Sequence, residues 1–144
     1  MQLEMKFVNF ALLKVNFFLN QEYKADSADK VIAPDIVISH EFREKEKQLA
    51  LIFGLRQIKG NIPYRFEVES GGLFQFEIVP EEKLLKQLAT INCPAILFPY
   101  VRETVADLTR RAGFPPLHLN PINFIQLAKE QEAKLKQSAE KISK

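Results

Sequence analysis

The sequence predicts an α+β fold, with antiparallel strands gathered in the first half and helices in the second. Three observations carry that expectation. Apolar residues alternate with polar ones through much of residues 1–79, the two-residue period of half-buried strands. Short polar turns separate these runs, which joins successive strands as an antiparallel meander. From Pro80 onward the apolar spacing changes to three and four, and prolines and Gly113 fall where helices begin and end. A chain of 144 residues is sized for a single domain. We read it as one, 1–144, mainly strands over 1–79 and mainly helical over 80–144.

The first strand, Met5 to Phe18, has an odd-numbered apolar face (Met5, Phe7, Ala11, Leu13, Val15, Phe17) broken by Asn9. Its even positions Val8, Phe10 and Leu12 are apolar too, so this end must be covered on both sides. That doubly apolar surface points to an oligomer or to a surface kept for a partner. Asn20–Lys30 reads as an exposed polar loop. A second strand over Asp35–Phe42 puts Ile36 and Ile38 on one face and Val37 on the other. The charged run Glu41–Gln48 is a turn. Leu49, Leu51, Phe53 and Leu55 alternate in a third strand. In the fourth, Tyr64, Phe66 and Val68 alternate with Arg65, Glu67 and Glu69, and Gly71-Gly72 is expected to break or bulge it before Phe74, Phe76 and Ile78 resume.

Pro80, Glu81 and Glu82 suit a helix N-terminus, and Leu84, Leu85, Leu88 and Ile91 form a short stripe ending near Asn92. Pro94 and Pro99 bracket an apolar connector, Ala95–Phe98. A longer helix is expected from Pro99, with Val101, Val105, Leu108 and Ala112 at helical spacing and Gly113 as its stop. Asn120 can cap a last helix with Pro121 at its first position. Its stripe, Phe124, Leu127, Leu135 and Ile142, is sparse, and the tail is rich in lysine.

Composition excludes several functions. The net charge of +2 is too slight to argue for a nucleic-acid partner, and the basic tail has no interleaved aromatics. Cys93 is the only cysteine, so no internal disulfide or cysteine-built zinc site can form. Lys14 and Asn16 interrupt the first apolar run, which leaves neither a signal peptide nor a membrane span, and a cytoplasmic protein is expected. Phenylalanine stands out, with 12 Phe against no Trp, and fills a core or supplies an apolar surface.

Catalysis needs converging groups. His40 and His118 have no second His or Cys at metal-ligand spacing. Gly71-Gly72 lacks the further glycine and the Lys-Ser/Thr of a phosphate loop. Glu41, Glu44 and Glu46 interleave with Arg43, Lys45 and Lys47, a solvated turn. No catalytic residue, metal or cofactor is expected.

The segment Cys93–Phe124, CPAILFPYVRETVADLTRRAGFPPLHLNPINF, carries the sequence further. Its Cys-Pro, its Ile-Leu-Phe-Pro-Tyr-x-Arg-Glu, its Gly-Phe-Pro and its Leu-x-Leu-x-Pro-x-Asn-Phe resemble the signature of the SecB family of export chaperones. Phe66-Glu67-Val68 followed by Gly71-Gly72-Leu73-Phe74 resembles that family's fourth strand and double-glycine hairpin. The N-terminal third is similar in pattern alone.

The resemblance implies a four-stranded antiparallel sheet with one long helix and a C-terminal helix, assembling as a homotetramer, a dimer of dimers. It implies ATP-independent holding of unfolded preproteins in apolar grooves between sheet and helices, for delivery to the translocation ATPase SecA. The groove then takes Ile36, Ile38, Phe98, Tyr100, Phe114, Leu117, Leu119 and Leu127. The oligomer interface takes Val8, Phe10 and Leu12, with Phe66 and Val68 between dimers. Glu67 and Glu69 are the acidic residues of the expected SecA-docking surface. Lys14 and Phe18 stand where an acidic pair is expected, and Arg65 lies beside Glu67. Charge reversal there weakens docking more than it weakens the fold. A client dedicated to this chain, such as the antitoxin of a toxin–antitoxin system, is the alternative partner.

Overall fold

The computed structural model describes residues 4–142. Four strands form one antiparallel sheet: β1 (Met5–Leu19), β2 (Asp35–Arg43), β3 (Gln48–Gln57) and β4 (Tyr64–Phe76), in the order β1-β4-β3-β2. Only β2, β3 and β4 form the expected meander. The loop after β1 carries the chain across to the far edge, so β1 closes the other side against β4.

Cross-strand partners share a face, so the register assigns the two surfaces. Leu49, Leu51, Phe53 and Leu55 of β3 and Phe66, Val68, Phe74 and Phe76 of β4 lie on the covered face, all fully buried. The opposite face is open and carries Ile52, Arg56, Glu67 and Glu69.

The even alternation expected for β1 fails at two places. Bulges between Phe7 and Asn9 and between Leu12 and Lys14 shift its register against β4. Each extra residue inverts the side-chain alternation beyond it. Phe7, Phe10, Val15 and Phe17 therefore all oppose residues of the covered face, while Asn9 and Lys14 turn outward. Two bulges bring odd and even apolar residues to the covered face in turn, while Val8, Leu13 and Phe18 stay exposed.

Gly71 and Gly72, by contrast, interrupt nothing, and no hairpin forms there: β4 runs straight through them. Gly72 is required by close approach, since a Cβ there would lie 2.6 Å from Leu97 Cδ2. The strand ends at Phe76, leaving Ile78 outside it and exposed.

The long helix begins earlier than expected, at Cys93 rather than Pro99, and takes in the connector. Helix α1 (Glu82–Gln87) passes through a π-helical turn, Leu88–Asn92, directly into α2 (Cys93–Arg111). Pro94 has no N–H, and its ring collides with the carbonyl four residues back in a regular helix. The wider turn relieves this, with the Cys93 N–H donating to Leu88 O. Pro99 is carried inside α2. The buried stripe of α2 is Leu97, Val101, Val105 and Thr109, rather than one ending on Leu108 and Ala112.

Helix α3 (Phe124–Ile142) is capped by Asn123, not Asn120: Asn123 Oδ1 accepts the Gln126 N–H at 3.0 Å. Phe53, Phe98 and Phe124 pack mutually at centroid distances of 6.2, 5.9 and 6.0 Å, pinning the start of α3 to α2 and β3. Leu135 is 71% exposed, so the apolar stripe of α3 loses its support after the first turns. The side chain of Ile142 lies outside the described residues.

Candidate functional site

Between the end of α2 and the start of α3, residues 112–123 cross the sheet as an irregular connector. The chain entering β2, Val31–Pro34, runs nearby. Together they line a half-open apolar cavity of about 170 Å³, walled by Ile32, Pro34, Ile36, Leu55, Leu119 and Ile122, with Val31, Ala33 and Asn120 completing it. Its floor is rigid because Leu55 belongs to the fully buried row of β3. Its walls are irregular segments, one a strand lead-in and the other the connector. An engineered apolar cavity of about 150 Å³ takes benzene, so this space is sized for one bulky apolar side chain.

The residues expected to share a groove divide into groups. Ile36 and Leu119 meet in the cavity. Ile38, Leu117 and Leu127 are half-buried and pack on the core. Phe98 is consumed by the Phe53 and Phe124 cluster. Tyr100 lies on the other flank of α2, stacked on Phe10 at 4.9 Å and edge-on to Phe7 at 5.8 Å. Phe114 sits at the far end, 5.1 Å from Tyr64, which stacks on Phe17 at 5.4 Å.

The residues expected at subunit interfaces also divide. Val8 and Leu12 are each 49% exposed on β1, an edge strand 15 residues long. Phe10 is engaged by Tyr100. Phe66 and Val68 are 1% and 0% exposed beneath the chain's own helices. They therefore offer no surface to a second copy, and their place between dimers is corrected to a place in the core.

On the open face, Glu67 is held between two cations. Lys14 Nζ lies 3.1 Å and Arg56 Nε 3.2 Å from the same carboxylate oxygen. The hydrogen bond from Lys14, joined by the charges of Lys14 and Arg56, holds the Glu67 carboxyl below the usual carboxylate range, against an opposing desolvation. Arg65, expected to oppose Glu67, instead donates to Lys59 O at 3.2 Å. The cation beside Glu67 that sequence reasoning missed is Arg56. Pairing β3 with β4 sets them directly opposite, a signal available only once the register is known. A shallow depression of about 190 Å³ beside this group is lined by Val37, Ser39, Ile52, Gly54, Arg56, Glu67 and Glu69, with Val68 at its base.

A depression of about 730 Å³ opens along the outer side of α2 among Glu103, Asp107, Arg110, Arg111 and His118. It is wide and charged, and Asp107 is already paired with Arg110 and Arg111. Among the described residues, no cluster of three His, Cys, Asp or Glu is placed to hold a metal ion. Cys93 is buried with its Sγ 3.6 Å from Met5 Sδ, and desolvation pushes its thiol up to about 12. No described helix is long and apolar enough to cross a membrane.

Comparison with known proteins agrees with this architecture. Residues 38–135 match the family model described as preprotein translocase subunit SecB. The protein-export proteins SecB of Burkholderia vietnamiensis and Burkholderia ambifaria are 42% identical over 83 residues, covering 58% of this chain and 52% of each relative. The chain thus spans about half the length of the curated relatives it matches. Among solved structures, the SecB-like chaperone of Mycobacterium tuberculosis, in complex with a ChAD peptide from an antitoxin, superposes with a TM-score of 0.63 at 19% identity. That match covers 82% of this chain and 89% of the other. A Streptococcus agalactiae protein of unknown function gives 0.60 at 12% identity, covering 84% and 100%.

Proposed function

The chain belongs to the SecB family, a chaperone family rather than an enzyme class, and from that premise we propose that it is an ATP-independent holding chaperone for non-native polypeptides. The observation that carries this reading is the apolar cavity between sheet and connector, lined by Ile36 and Leu119 over the buried Leu55. A segment of unfolded chain presents isolated bulky apolar side chains, and a cavity of this size and lining accepts one without any covalent step. Ile38, Leu117 and Leu127 extend the apolar surface beside it.

The assembly that suits this reading is a homotetramer of single-domain protomers, built as a dimer of dimers in the cytoplasm. A long edge strand with exposed Val8, Leu12, Leu13 and Phe18 is a template for pairing with a second copy. Clients are unfolded preproteins passed to SecA. Docking of a basic tail on the open face is weak and salt-sensitive, because Lys14 and Arg56 already occupy Glu67. That same clamp favours a second reading, a chaperone dedicated to one labile client such as an antitoxin, in line with the peptide bound by the M. tuberculosis neighbour.

Dilution of a denatured test protein into buffer holding this chain, without nucleotide, tests the proposal by light scattering. Suppressed aggregation near equimolar ratio is expected. Unchanged aggregation at a several-fold excess contradicts it.

A further inference from the structure

Thr109 is a polar residue in an apolar row. It follows Leu97, Val101 and Val105 along the buried stripe of α2 and is itself 0% exposed. The carbonyls of Val105 and Ala106, both 3.0 Å away, share its hydroxyl proton. Its oxygen then accepts the Leu117 N–H at 2.9 Å. Among the described residues this is the only hydrogen bond tying residues 115–122 to the rest of the molecule. Thr109 O also accepts the Phe114 N–H at 3.0 Å, so one residue fixes the connector twice in succession. Two residues beyond Leu117 stands Leu119, a wall of the apolar cavity.

We propose that Thr109 is a positioning residue that sets the height of the connector over the sheet, and thereby the size of client side chain the cavity admits. This rests on the holding function above. With the latch closed, the cavity accepts a phenyl or branched aliphatic group and resists an indole. Without it, Leu117–Ile122 is held by apolar packing alone, and the wall yields to the larger group.

The test uses the full chain, its Thr109→Val variant, which keeps the shape but removes the accepting oxygen, and its Thr109→Ser variant, which restores the oxygen. The probes are four fluorescein-labelled extended apolar peptides differing in one central residue (Ala, Leu, Phe or Trp), read by anisotropy. The parent and Thr109→Ser are expected to bind the Phe peptide roughly tenfold more tightly than the Trp peptide. In Thr109→Val that ratio is expected to fall to about threefold or less, while exchange of the Leu117 amide proton quickens by roughly tenfold on losing its partner. An unchanged ratio in Thr109→Val overturns the latch alone, as does a Thr109→Ser variant that loses selectivity. A parent chain that binds none of the peptides overturns the holding function and this proposal with it.

Discussion

Replacing Gly72 with alanine probes the seat on which every helical element of the site depends. The new Cβ would stand 2.6, 2.9 and 3.2 Å from Leu97 Cδ2, Cδ1 and Cγ. Carbon atoms rest at about 3.5–4.0 Å, so several tenths of an ångström to more than one ångström must be found. Leu97 is 0% exposed, so its side chain must turn within the packed core, or α2 must lift or β4 must bend. Overpacking of this kind costs about 1–3 kcal/mol, and a gain of roughly 0.4–1 kcal/mol from the less flexible unfolded chain offsets part of it. A net loss of about 1–2 kcal/mol is expected, lowering Tm by roughly 3–8 °C for a chain of this size. Leu97→Ala alone opens a void and costs about 2–5 kcal/mol. The double variant should lose less than the sum by about 1–2 kcal/mol, because the alanine methyl then enters the space left by leucine. Urea unfolding followed by far-UV circular dichroism, at fixed protomer concentration, measures all three. A Gly72→Ala variant as stable as the parent, or strict additivity in the double variant, refutes the seating of α2 on β4.

Three further outcomes are expected. Cys93, with its thiol raised from about 9 to about 12 by burial, should resist thiol reagents in the native protein and react on unfolding. Because its folded value is the higher one, its contribution to stability is intact below about 9 and is lost as pH rises toward about 12, which alkaline melting curves check. Val8→Lys and Leu12→Lys should lower the oligomer order in sedimentation while leaving the fold intact, whereas Phe66→Asp should unfold the chain, because its side chain is buried within it. Arg56→Ala and Lys14→Ala should each raise the Glu67 value toward that of an ordinary carboxylate in an NMR titration and strengthen binding of a basic SecA tail at low salt. Unchanged affinity in both variants shows that the clamp does not oppose docking.

Much of the fold was legible because its signals are local. The alternations of β2, β3 and β4 survive, as does the change to helix after Pro80, though the buried stripe of α2 ends on Thr109. What the sequence concealed depends on partners distant along the chain. The bulges of β1 are invisible until β4 sets the register. Without that register, apolar residues at both odd and even positions read as two faces, although Phe7, Phe10, Val15 and Phe17 share one. Gly71-Gly72 resembles a turn until Leu97 is placed above it. The joining of α1 to α2 hinges on a π-helical turn that accommodates Pro94, where local rules end a helix. Ile36 and Leu119 were assigned to a groove by the family resemblance, and both line the same cavity. Thr109 was missed because its hydroxyl acquires a role only against a backbone N–H eight residues later. It was nonetheless visible as a polar residue four positions beyond Val105 on a buried stripe.

The central claim is that unfolded polypeptide enters between sheet and connector. Methyl NMR of the assembled protein, titrated with a permanently unfolded client, tests it most directly. Shift changes are expected to concentrate at Ile36, Leu119 and Ile122, with smaller ones at Ile38, Leu117 and Leu127 and none at Leu49, Leu51 or Val68 in the closed core. Perturbations confined to Val8, Leu12, Leu13 and Val15 of β1, with the cavity methyls unmoved, would contradict it.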